Sequence, residues 1–409
     1  MRIKQFNSQA DACARAFAIV LGFTIPISPP PLNNVLLGLI LVTWIASGNF
    51  RDKLATIRAS RVALAALTLF GLLALGLAYG TRNPGDGMRY FGKYLDLLFV
   101  PVFLTLFQSQ QTREAGLKAF GGAVILSLIV SHLASQGLLF EHPLLPRAQE
   151  IPGGFKYSIT HGLLVGFSAF GFALLAREAT RRAWRIGFIG LALIAAHNVL
   201  FIVFSRTAYL VLAVLMIYFL IASFRRRGRA VAAIFGIVLF CAGYVGSGMF
   251  YQRINEAVTE ISAWQPGKPS DTSIGSRMEF YVGSVQIIRE HPVFGAGTGS
   301  FPAAYAAAVA GKHMEATRNP HNEYLMIASQ IGVVGLACLL YLFYLEWRLA
   351  AKLAPLYRDL ARGLVLVVGV GSLFNSLLMD HTEGLLFAWA SGLLFAGLSP
   401  PAGAGETAR

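Results

Sequence analysis

Three polar residues stand where a mostly apolar chain is interrupted, and their types suit one kind of reaction. Arg206 lies in Ser205-Arg206-Thr207-Ala208-Tyr209-Leu210, where 205–207 is the whole link between two apolar runs. Arg277 lies in Gly275-Ser276-Arg277-Met278-Glu279-Phe280, and His321 in Pro320-His321-Asn322-Glu323-Tyr324-Leu325, just before another apolar run. A guanidinium offers five donors in a planar fork that matches phosphate oxygens. An imidazole, with an unperturbed pKa of about 6.5, accepts a proton at neutral pH. Two cations for a departing phosphate and one base for an incoming hydroxyl are what a displacement at a phosphorylated carbon needs.

Each residue also has a plainer reading. An arginine at an apolar edge can snorkel to the surface, but such a charge is costly without a partner. Arg277 alone is a solvated loop charge. Of the eight histidines, His132, His161 and His197 fall in or at apolar runs, where packing or hydrogen bonding is expected. His142, His291, His313 and His381 are loop residues without motif support, except that His381 stands in Asp380-His381-Thr382-Glu383-Gly384. No HExxH, DxD, P-loop or dinucleotide fingerprint is present, so neither a metal nor a nucleotide cofactor is expected. The three cysteines, Cys13, Cys241 and Cys338, form no zinc or disulfide pattern.

The elements that position these residues are membrane spans. Hydrophobic residues make up 56% of the 409 and charged residues 13%, against about 25% charged in soluble domains. The expected fold class is an all-α polytopic membrane protein. Twelve apolar stretches qualify: 14–28, 33–48, 62–80, 94–108, 119–140, 159–176, 186–204, 208–224, 230–250, 324–347, 363–379 and 384–398. The basic, apolar N-terminus resembles a signal peptide but lacks a cleavage site and is read as the first span.

The net charge of +14 does not point to nucleic acid. Most Lys and Arg lie in short loops of one set, including 51–61, 177–185, 225–229 and 348–362. The positive-inside rule puts that set and both termini in the cytoplasm. The other loops, 81–93, 141–158, 205–207, 251–323 and 380–383, then lie outside. The chain divides into spans one to nine (1–250), a long outer loop (251–323), spans ten to twelve (324–398) and a tail (399–409). In the long loop, 251–263 continues the ninth span as helix. Gln265 to Asp271 is a turn-rich breaker, and 276–290 has a helical apolar face at 280, 281, 285, 287 and 288. Past Pro400 the tail is expected to be disordered.

Ser-Arg-Thr-Ala-Tyr-Leu at 205–210, Ser-Arg-Met-Glu-Phe at 276–280, Glu-His-Pro-Val-Phe-Gly-Ala-Gly-Thr-Gly-Ser-Phe at 290–301 and Pro-His-Asn-Glu-Tyr-Leu at 320–325 resemble the O-antigen ligase and polymerase superfamily of bacterial envelopes. The resemblance covers about 200–350, and the span layout extends it over the chain. It implies a GT-C-like membrane glycosyltransferase at the periplasmic face of a Gram-negative inner membrane. It also implies transfer of a polysaccharide from undecaprenyl pyrophosphate, for a ligase to the lipid A–core oligosaccharide, without metal or cofactor. On this reading His321 is the general base, Arg206 and Arg277 hold the pyrophosphate, and direct displacement inverts the sugar carbon. Arg82, Arg89 and Lys93 are second-line anion contacts, as Arg147 and Lys156 are for acceptor charges. Asn322 and Tyr324 join the substrate site through the motif. Asp380 and Glu383 do so through a further ligase-type element. The alternatives are a polymerase of the same superfamily, which would carry a second large outer loop earlier in the chain, and a transporter. A transporter would place ionisable residues at the bilayer midplane, where this chain has few.

Overall fold

The computed structural model describes residues 2–80, 83–138, 153–224, 226–246, 248–265, 271–312 and 314–398. Arg82, His142, Arg147, His313, most of the expected breaker at 265–271 and the tail past Pro400 lie outside these residues. Among the described residues the chain is all-helical. Its α-helices are α1 (Arg2–Ile27), α2 (Pro30–Ala46), α3 (Phe50–Ala59), α4 (Arg61–Gly76), α5 (Pro84–Gly92), α6 (Phe99–Leu106), α7 (Gln110–Ser135), α8 (Ser158–Glu178), α9 (Arg182–His197), α10 (Arg206–Ser223), α11 (Arg226–Gly246), α12 (Gly248–Ala263), α13 (Ser273–Glu290), α14 (Phe301–Ala308), α15 (Glu323–Ala350), α16 (Pro355–Gly371) and α17 (His381–Phe395). A 3-10 turn, Leu95–Leu98, leads into α6, and a π-helical turn, Asn198–Ile202, follows α9.

All twelve apolar stretches carry helix. Six helices among the described residues are long and apolar enough to cross a membrane: Lys4–Ile27, Gln110–Ser135, Ser158–Glu178, Arg182–Ile202, Arg206–Ser223 and Glu323–Ala350. α2 and α3 make a seventh only across a 115° bend, and α4 and Leu95–Leu106 are shorter apolar helices. Length and composition are those of a polytopic membrane protein. The bundle closes around Trp389 of α17. Its ring meets Phe107 and Phe120, and its indole N–H donates to the Ala18 carbonyl at 2.8 Å.

Four boundaries differ from the sequence reading. α1 begins at Arg2 rather than near 14, its polar turns carrying an Asp11–Arg15 ion pair of 2.9 Å. The links at 51–61 and 81–93 contain the short helices α3 and α5. α5 starts on Asn83, whose side chain accepts from the Gly85 N–H, with Pro84 in the first turn. α16 stops at Gly371, and 372–380 is non-helical where a span was expected to run to 379. On α13 the buried residues are Gly275, Glu279, Phe280, Gly283, Ser284 and Ile287, while Val285, expected on the apolar face, is exposed.

α15 is broken inside its apolar run. Ile331 (φ −130°, ψ 21°) and Gly332 (φ 66°, ψ −164°) leave helical geometry. Backbone groups freed at membrane depth cost several kcal/mol if left unpaired. Here the segment 292–299 takes them up. The Ala296 and Gly297 N–H groups donate to the Ser329 and Gln330 carbonyls, both at 2.8 Å. Val333 N–H donates to Pro292 O at 2.9 Å and Val334 N–H to Val293 O at 3.3 Å. Thr298 ties the same segment to α4, through its N–H to Gly76 O at 3.0 Å and its hydroxyl to Leu73 O at 2.7 Å.

The glycines permit this docking. Gly295, Gly297 and Gly299 all have positive φ, which L side chains rarely adopt. A Cβ on Gly297 would lie 2.2 Å from Gly80 Cα, and one on Gly299 2.5 Å from Gly87 Cα. The His-Pro-x-x-Gly-x-Gly pattern is thus a structural plug that pins the 292–299 segment into the break of α15.

Candidate functional site

Arg206 is the first residue of α10, whose N-cap Ser205 accepts the Ala208 N–H through its hydroxyl. The position carries the guanidinium to the helix start and toward α12. Its Nη2 reaches Glu256 Oε2 at 3.2 Å and Glu260 Oε1 at 2.7 Å. The second Glu260 oxygen accepts the Ile274 N–H at 2.8 Å, in the first turn of α13. Burial would raise the Glu260 carboxyl. Hydrogen bonds from Arg206 and Ile274, with the Arg206 charge, outweigh it and hold the group below the usual carboxylate range.

Arg277 follows on α13, one turn before Tyr281. Among the described residues it makes no ion pair within 4.0 Å. Burial lowers its pKa; Tyr281 and Glu260 oppose this, and the Arg206 charge adds to it. Arg277 also depresses the His321 imidazole. It therefore stands within electrostatic reach of both other expected site residues, and the three lie along one path from α10 through α13 to the start of α15.

His321 is held by its backbone. It has φ +52°, a left-handed conformation uncommon outside glycine. Its N–H donates to Asn319 Oδ1 at 2.8 Å, and that oxygen also accepts from the Ser376 hydroxyl at 2.7 Å. The imidazole stacks on Phe280 of α13, centroids 6.2 Å apart. Burial lowers its pKa below 6.5, the Arg277 charge lowers it further, and the Asn375 side chain opposes both. At neutral pH the ring is uncharged, the form able to take a proton.

The next three residues lock the start of α15. Asn322 is the N-cap: its Oδ1 accepts from Leu325 N–H at 3.0 Å and its Nδ2 donates to Leu373 O at 3.0 Å. Glu323 is fully buried, with one oxygen accepting from the Tyr94 hydroxyl at 2.8 Å and the other from Leu378 N–H at 3.0 Å. Tyr324 donates its hydroxyl to Gly369 O at 2.7 Å. The polar atoms of Asn322 and Tyr324, expected in the substrate site, are engaged inside the protein and shape the wall around His321.

Of the remaining expected residues, Lys93, Lys156, Asp380 and Glu383 act electrostatically on one another. Asp380 precedes α17 and is partly buried. Burial raises its pKa, and Lys93 across from it holds the rise back. Glu383 is buried. Near it, Lys156 donates to Ser28 O at 2.5 Å and to Thr382 Oγ1 at 3.2 Å. Burial takes the Lys156 pKa down to about 8, against the pull of Glu383. Arg89 is exposed on α5. Tyr90 beside it donates its hydroxyl to the Arg318 carbonyl and ties α5 to the segment before His321. Among the described residues no three or more His, Cys, Asp or Glu side chains are grouped to hold a metal ion.

Sequence reasoning passed over Glu260, Asn375 and Tyr94, and quoted Glu323 only as part of its motif. Asn375-Ser376, a polar pair inside a stretch read as span, was a local signal.

Two arginines that act electrostatically on one another and an uncharged histidine offer donors for a phosphate and an acceptor for a proton. Residues 191–340 match the family model described as O-antigen ligase. The segment is O-antigen-ligase-like. The match runs from α9 through Arg206, Arg277, the glycine plug and His321 into α15, and supports the O-antigen ligase and polymerase superfamily. An uncharacterized protein of Haemophilus influenzae is 22% identical over 253 residues, covering 60% of this chain and 61% of the relative's own length. The ligase-like segment contains every residue of the Arg206–Arg277–His321 path and the four contacts that fix the break of α15.

Proposed function

We propose that this protein is an O-antigen ligase: it moves a polysaccharide from undecaprenyl pyrophosphate to a hydroxyl of the lipid A–core oligosaccharide. The observation that carries the reading is the run of α13 from Ile274, held by the Glu260 carboxylate that also binds Arg206, past Arg277 to Phe280, which stacks on His321, within a ligase-like segment. The acceptor oxygen attacks the anomeric carbon while the bond from that carbon to the pyrophosphate oxygen breaks. The hydroxyl proton goes to His321, and undecaprenyl pyrophosphate leaves with its charge met by Arg206 and Arg277. One displacement inverts the sugar carbon. With no metal motif in the sequence, guanidinium groups take the role a divalent ion would have.

The same reading takes the twelve helical stretches as twelve spans of a GT-C-like transferase in a Gram-negative inner membrane, with 251–323 as the periplasmic segment. Arg82, Arg89 and Lys93 meet anionic groups of donor or acceptor, Asn322 and Tyr324 line the site, and Asp380 and Glu383 contact the sugar side. Deleting the gene in its host separates ligase from polymerase. A ligase deletion leaves full-length polymer on the lipid carrier and bare lipid A–core at the surface. Core bearing a single repeat unit would instead mark a polymerase.

A further inference from the structure

Two carboxylates converge on one nitrogen of Arg206. Glu256 Oε2 and Glu260 Oε1 both accept from Nη2, at 3.2 and 2.7 Å. That nitrogen belongs to both two-pronged edges of a guanidinium, the Nε/Nη2 side and the Nη1/Nη2 end. A phosphate group cannot take either fork of Arg206 while both carboxylates stay.

The two glutamates are not equivalent. Glu260 has the shorter contact and the less exposed side chain, 15% against 32% for Glu256. Its second oxygen is spent on the Ile274 N–H, three residues before Arg277. Removing it would loosen the helix that carries the second arginine, and would take away a carboxylate whose charge acts on both guanidinium groups. The second oxygen of Glu256 accepts from Gln252 Nε2 at 2.8 Å, one turn back on the same helix. Glu256 can therefore let go of Arg206 and stay held on α12.

We propose that Glu256 is a displaceable counter-anion that competes with the lipid-linked pyrophosphate for Arg206, and that Glu260 is the fixed positioning residue that keeps Arg206 and α13 in register. This rests on the assignment of Arg206 to the pyrophosphate. The exchange has a use in turnover. Once the glycan has been transferred, the lipid carrier leaves still bearing its pyrophosphate, so the leaving product holds the same arginine as the donor. Return of the Glu256 carboxylate to Nη2 helps expel it.

The test is titration of undecaprenyl pyrophosphate into the full-length protein in lipid nanodiscs, with initial-rate transfer assays on the same samples. Glu256→Gln should bind the lipid pyrophosphate about tenfold more tightly, the scale of removing one charged competitor. Its KM and kcat should fall together, because product leaves more slowly. Glu256→Ala should shift binding the same way and covers the case in which the glutamine variant does not fold. Glu260→Gln should weaken binding and lower the unfolding temperature. If Arg206→Gln binds like wild type, the assignment of Arg206 to the pyrophosphate fails. If Arg206→Gln loses binding but neither Glu256 variant binds more tightly than wild type, the displacement is wrong and the arginine assignment stands. Tighter binding by Glu260→Gln would reverse the two roles and overturn the proposal.

Discussion

Gly297 and Gly80 meet backbone to backbone: a Cβ on Gly297 would lie 2.2 Å from Gly80 Cα, at a φ of +94°. The contact joins the end of the α4 segment to the 292–299 segment that fills the break in α15. Through α15 it sets the height of His321 relative to the helices around it.

Gly297→Ala is therefore expected to destabilise the protein by more than backbone strain alone, which is on the order of 1–3 kcal/mol at such a position. The collision with Gly80 adds to it. Gly311, also at positive φ but with open space around it, should tolerate alanine better. Thermal unfolding in detergent compares the two. Equal midpoints for Gly297→Ala and wild type would mean that the plug does not bear on the fold.

The acid limb of the transfer rate should fall below the ordinary histidine range, because burial and then Arg277 lower the His321 pKa. A positive neighbour disfavours the imidazolium, so Arg277→Gln should raise the pKa and move the limb of the residual activity to higher pH. Asn375 favours the charged form, so Asn375→Ala should move the limb to lower pH. Shifts in the opposite senses, or none, would count against His321 as the titrating base.

Replacing Arg206 or Arg277 by lysine keeps the charge and removes the fork. Losing one charge-assisted hydrogen bond is worth about 1.5–3 kcal/mol. Each variant should therefore lose roughly ten- to a hundredfold in kcat/KM. Wild-type rates in both would show that charge alone is used.

Glu323 accepts two buried hydrogen bonds, from Tyr94 and Leu378. Glu323→Ala strands both donors, at a cost of about 1–3 kcal/mol each, and should lower stability and activity together. Glu323→Gln keeps one acceptor for the Leu378 N–H and can donate to the Tyr94 oxygen, so it should retain most of the stability. An alanine variant as stable as wild type would remove Glu323 from the account.

The helices were legible because twelve apolar runs leave little else to form, although only six of the helices are long and apolar enough to cross a membrane. Their ends were not. α16 stops at Gly371 because Ser372 and Leu373 turn their carbonyls to Glu323 N–H and Asn322 Nδ2, partners about fifty positions away. Arg206, Arg277 and His321 stood out as polar residues in recognisable motifs at apolar edges. Glu260, Tyr94 and Asn375 did not, since each acts only through a neighbour brought up by the fold. The glycine pattern at 295–299 was visible as a motif, but its physical meaning lay in Gly332, hidden inside an apolar run.

The most direct test of the central claim is transfer by the purified protein in nanodiscs. The assay supplies undecaprenyl-pyrophosphate-linked polysaccharide, lipid A–core oligosaccharide and an excess of chelator. The account predicts polysaccharide joined to the core by the wild type, and a loss of about a hundred- to ten-thousandfold in His321→Ala. Transfer that needs an added divalent metal, a fully active His321→Ala protein, or lengthening of the lipid-linked glycan with no product on the core would contradict it.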